Sequence, residues 1–74
     1  MIAVQCRMAR AALGWGVRDL AREANVSIDT ITRLEKGEAL LPRTVEAIQR
    51  ALEEAGVIFV AENGEGPGVR LRKR

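Results

Sequence analysis

A chain of 74 residues with a net charge of +2 makes one domain, near the lower end of what a single buried core stabilises. It has no His and one Cys, which excludes a Cys/His metal centre and a disulfide framework; with no nucleophile–base pair either, neither an enzyme nor a bound cofactor is expected. Only Trp15 and Phe59 are aromatic, too few to wall a ligand cavity or to build a base-stacking surface for RNA.

The first predicted element is a helix over about Ala3 to Leu13. Its core side is read as Met8, Ala9, Ala12 and Leu13, with Gln5, Arg7 and Arg10 largely turned to water and Cys6 half-buried. Gly14 and Gly16 bracket Trp15 and end that helix, leaving the indole as a core or capping plug. A second helix follows at about Val17 to Ala24, where Leu20, Ala21 and Ala24 recur at the spacing of one face. Asn25 falls where the chain must reverse, and Asn tolerates the left-handed conformation better than any residue but Gly. Val26 plugs the core, and Ser27 is a strong N-cap for a third helix at about Ile28 to Lys36, which buries Ile31 and Leu34. Two short helices joined by such a turn form the unit that lays one helix face in a DNA major groove.

Gly37 stops the third helix, and Pro42 suits the first turn of a fourth, which runs to about Ala55 and buries Val45, Ile48, Ala51 and Leu52. After Gly56 the period changes. Val57-Ile58-Phe59-Val60 is a β-branched and aromatic run, and Val69-Arg70-Leu71-Arg72 alternates apolar with basic residues across a Gly-rich loop, which reads as a hairpin. The predicted fold is therefore mostly α: a compact helix-turn-helix domain of four to five short helices with a C-terminal β-hairpin.

The order Leu20-Ala21, Asn25-Val26-Ser27, Ile31, Leu34-Glu35-Lys36-Gly37 resembles the Xre family, the phage Cro and repressor type of helix-turn-helix protein, over roughly residues 5–57. The resemblance implies base and nearby phosphate contacts from the start and outer face of the third helix: Ser27, Ile28, Asp29, Thr30 and Arg33. Chemistry agrees, since Arg33 can bind guanine O6 and N7 bidentately, Asp29 can accept from a cytosine amino group, and Ile28 can pack on a thymine methyl. The competing reading is a solvated face on which Asp29 and Arg33 form an i,i+4 ion pair worth roughly 0.2–0.5 kcal/mol. Thr32 and Lys36, further along, reach backbone or bases, and Arg18 and Arg43, in the first turns of their helices, are placed to meet phosphates. The family often opens its first motif helix with Ser-Gln, whose amide holds a phosphate. Here Gly16 and Val17 stand there, so that contact is lost or passes to Arg18. Glu35 matches a family position that packs against the motif scaffold.

Residues 57–74 hold Arg70, Arg72, Lys73 and Arg74 against Glu62 and Glu65, which is the whole charge excess; the first 56 residues are about neutral. Binding to DNA would therefore rest on local placement of Arg. The basic tail is either an arm that tracks DNA or a charged strand end that discourages aggregation. The first strand is apolar on both faces, Val57 and Phe59 pointing one way and Ile58 and Val60 the other. Residues 1–56 are thus read as the DNA-binding domain and 57–74 as hairpin, basic tail and dimerisation element, through Val57, Ile58, Phe59, Val60, Val69 and Leu71. The expected partners are double-stranded DNA and a second copy, with RNA polymerase or a co-encoded protein as further ones. No membrane association is expected, and a cytoplasmic protein is, for want of a leader-like or membrane-length apolar run. Together these point to a homodimeric transcriptional regulator, a repressor in the simplest case, on a two-fold operator. The alternative is an antitoxin or anti-activator that acts by occupying another protein.

Overall fold

Four helices and a two-stranded hairpin follow one another in the computed structural model, which describes residues 1–73. They are α1 (Ala3–Leu13), α2 (Val17–Ala24), α3 (Ile28–Glu35), α4 (Pro42–Glu54), β1 (Val57–Val60) and β2 (Gly68–Leu71). Arg74, the last residue of the basic tail, lies outside the described residues.

The helices stop where their sequences say they should. Asn25 ends α2 at φ 57°, ψ 46°, its own N–H donating to Arg22 C=O (3.2 Å) and that of Val26 to Ala21 C=O (3.0 Å). These paired bonds satisfy the last carbonyls of α2 and turn the chain straight into α3. Ser27 then caps α3, its Oγ accepting from the Thr30 N–H at 3.0 Å. The turn is thus fixed from both sides by two residues with short polar side chains.

The core lies where the four helices and β1 converge. Cys6, Leu20, Ile31, Ile48, Leu52 and Val57 are almost wholly shielded, with Ala9, Ala21, Leu34 and Ala51 filling between them. Leu20 and Ala21 are buried and Ala24 packs partly buried against the core, as their spacing suggested.

The buried face of α1 differs from the sequence expectation. Gln5, Cys6 and Ala9 are buried, Met8 and Leu13 are only half-buried, and Ala12 is exposed. Gln5 goes inside because its amide finds three backbone partners. Oε1 accepts from the Ile2 N–H (3.0 Å), and Nε2 donates to the carbonyls of Val60 and Gly68 (3.1 Å each). A buried amide satisfied in this way costs little. One side chain thereby caps α1 and pins it to facing residues of both strands.

Arg10 is likewise not a solvent residue. Its Nε and Nη2 grip the two carboxylate oxygens of Glu35 at 2.6 and 2.7 Å, and its Nη1 donates to Trp15 C=O at 3.2 Å. This fork joins α1 to the end of α3. Burial opposes ionisation of Glu35, but the hydrogen bonds from Arg10 and from Cys6 Sγ outweigh it and hold the carboxyl below its ordinary range. Cys6 itself is fully buried; desolvation, then the hydrogen bond and negative charge of Glu35, push its thiol up to about 12.

The hairpin is antiparallel, with Val57 opposite Leu71, Ile58 opposite Arg70, Phe59 opposite Val69 and Val60 opposite Gly68. Val57, Phe59 and Val69 pack on the chain's own core, whereas Ile58 and Leu71 are 40% and 48% exposed and Val60 is half-buried. The loop between the strands is organised by Glu62, whose Oε1 accepts from the Gly64 and Gly66 N–H groups at 2.7 and 2.8 Å. No helix among the described residues is long and apolar enough to cross a membrane.

Candidate nucleic-acid interface

With Ile31 and Leu34 sunk in the core and Glu35 held by Arg10, the opposite side of α3 is left to solvent. Ile28, Asp29, Arg33 and Lys36 are exposed there, and Thr32 is half-buried between them. Positions 28, 32 and 36 form one row and 29 and 33 the adjoining row, as residues four apart must on a helix. Ile28 is 46% exposed at the very start of α3, an apolar group turned outward beside Asp29.

The hydroxyls on this helix already serve its backbone. Ser27 Oγ and Thr30 Oγ1 share a hydrogen bond of 2.7 Å, and Thr32 Oγ1 donates to Ile28 C=O at 3.1 Å. Ser27, Thr30 and Thr32 therefore shape the helix start and its surface, and Thr32 Oγ1, which donates within the helix, keeps its lone pairs for a donor outside. Asp29 has no partner among the described residues, and its carboxylate stands open. The i,i+4 pair with Arg33 does not form: Arg33 Nε donates instead to Glu38 Oε1 at 3.2 Å.

The flanks hold the two arginines expected to meet phosphates. Arg18 is exposed in the first turn of α2, and Arg43 is exposed in that of α4, next to Pro42. At α2 one of the helix-start N–H donors is already taken. Asp19 Oδ2 accepts the Gly16 N–H at 2.7 Å, a bond that, with Arg22 nearby, holds the Asp19 carboxyl below its ordinary range. Between α3 and the connector to α4 lies an open cleft of about 470 Å³, lined by Thr30, Arg33, Ala39, Leu40, Leu41 and Thr44.

Leu41, 67% exposed on the rim of this cleft, and Glu38 are surface features that the sequence reading passed over. Glu38 had a signal in the sequence. Gly37 at a helix stop implies a turn that folds the next residue back over the one five positions earlier, which is Arg33. Leu41 had none, since an apolar residue before Pro42 is equally well read as core.

The helix-turn-helix domain family matches the chain over residues 2–57, a segment that contains every residue behind the Xre resemblance. No curated protein matches the chain.

Proposed function

The chain belongs to the helix-turn-helix domain family, and on that footing we propose that it is a sequence-specific transcriptional regulator that binds double-stranded DNA. The observation that carries this reading is the division of α3: one side locked into the core and onto Arg10, the other presenting Ile28, Asp29, Arg33 and Lys36 together. That face offers an apolar group, an acceptor and a guanidinium fork with its Nη donors unpaired among the described residues, all within two helical turns, which is the vocabulary needed to read base edges in a major groove. Ser27, Thr30 and Thr32 assist from the same helix, and Arg18 and Arg43 hold phosphates on either side.

The regulator acts as a homodimer on a two-fold site, two copies of α3 entering successive major grooves about one turn apart. The residues 57–74 supply the dimer contact. Within that set Val57, Phe59 and Val69 serve the chain's own core, Leu71 lies opposite Val57 at the rim of that inner side, and Ile58 and Val60, on the open face, are left for the second copy. Repression by occluding polymerase is the simplest outcome of such binding. A co-encoded protein held by the hairpin face is the alternative partner.

Arginine substitutions test the assignment of the face. On a two-fold site selected from random duplex, Arg33→Ala is expected to cost about 1–3 kcal/mol and to relax preference at one base pair per half-site. Arg18→Ala is expected to weaken all sequences alike. An Arg33→Ala protein with unchanged affinity and unchanged base preference would place the reading face elsewhere.

A further inference from the structure

Arg33 and Glu38 are joined twice. The Glu38 N–H donates to Arg33 C=O at 3.0 Å and the Gly37 N–H to Leu34 C=O at 2.9 Å, the pair of bonds that closes α3. This turn needs Gly37 at φ +88°, a conformation L side chains rarely adopt, so the backbone of Glu38 is set by the helix end rather than by a loose loop. The second link is between side chains, Arg33 Nε to Glu38 Oε1 at 3.2 Å. Neither Nη of Arg33 has a partner among the described residues. The guanidinium is therefore tied at its inner nitrogen, and its outer Nη donors are free.

We propose that Glu38 is a positioning residue that sets base specificity, holding Arg33 so that its free Nη donors meet guanine O6 and N7 at one position in each half-site. The inference rests on the DNA-binding reading of Arg33. Two physical effects follow from the geometry. An arginine held by a carboxylate has fewer rotamers to give up when it meets a base, and a planar fork fixed in one direction suits one acceptor pattern and not others. The same carboxylate repels the phosphate backbone, so it weakens binding to every duplex alike. Glu38 thus lowers overall affinity while sharpening the choice at one base pair.

The test uses the full chain, and compares the wild type, Glu38→Ala and Glu38→Gln on the selected two-fold duplex, on duplexes with the Arg33 base pair replaced, and on random duplex. Both residues are exposed, so circular dichroism of the variants is expected to match the wild type. Glu38→Ala is expected to bind random duplex a few-fold tighter and to lose about tenfold in preference at the Arg33 base pair, within the range of a bidentate contact. Glu38→Gln, which keeps an acceptor for Nε, is expected to gain on random duplex while keeping most of the preference. If Glu38→Ala raises affinity for all duplexes equally and leaves the preference intact, Glu38 only repels DNA and the inference is overturned. The underlying reading fails separately: it falls if Arg33→Ala keeps the wild-type preference at that base pair.

Discussion

Arg10 and Glu35 carry more of this small fold than their position on the helices suggests. Their bidentate contact at 2.6 and 2.7 Å joins α1 to the end of α3 by a charged pair, and so holds the orientation of the exposed face. The sign of its pH dependence follows from the lowered pKa of Glu35. Its stabilisation is complete above the ordinary carboxyl value of 4.5 and is lost as pH falls through the folded value below that. Glu35→Gln is expected to cost about 3 kcal/mol at pH 7, because it leaves Arg10 partly buried without its charge partner. The cost is expected to shrink as both proteins are taken below pH 4.5. Urea denaturation at pH 7 and pH 3.5 checks this; a gap of equal size at the two pH values would show that the pair contributes nothing through its ionisation. None of this pairing was legible in the sequence, since the partners stand 25 residues apart and each sits among other charges. The Arg33 pairing misled for the opposite reason. Asp29 was the nearer acid along the helix, but the turn at Gly37 delivers Glu38 to the same guanidinium.

At the level of elements, apolar spacing and the stop residues located all four helices and both strands to within about one residue. The face of α1 was the exception. Gln5 bonds to carbonyls 55 and 63 residues away, so its burial depends on a hairpin whose docking no local pattern encodes. The hairpin followed its alternation: Val57 and Phe59 turn inward and Ile58 outward. A two-stranded sheet has a free edge on each side, and the exposed Ile58 sits on its open face. Since Val57 is part of the core, removing residues 57–74 would unpack the domain as well as any interface; a substitution at Ile58 separates the two effects. Ile58→Asp is expected to leave helicity and thermal unfolding of the single chain nearly unchanged while converting the dimer to monomer in sedimentation, because the dimer would bury an unpaired charge. A dimer as tight as the wild type would move the interface to the helices, first of all α4.

For the molecule as a whole, the near-neutral first 56 residues mean that bulk charge cannot supply the affinity. On the proposed reading, recognition comes from where a few side chains are placed: Ile28, Asp29 and Arg33 on α3, with Arg18 and Arg43 beside it. That placement was legible in outline because a helix-turn-helix fixes which helix face is core and which is left over. What it could not give was the partner each side chain already has in the free protein, which is set by contacts between elements. The central claim, that this leftover face reads DNA sequence, is tested most directly by titrating the protein with its selected two-fold site and with random duplex of equal length at physiological salt. The expected result is binding to the selected site at least about 10³-fold tighter, with both affinities falling steeply as salt rises. Equal affinity for the two duplexes would contradict it.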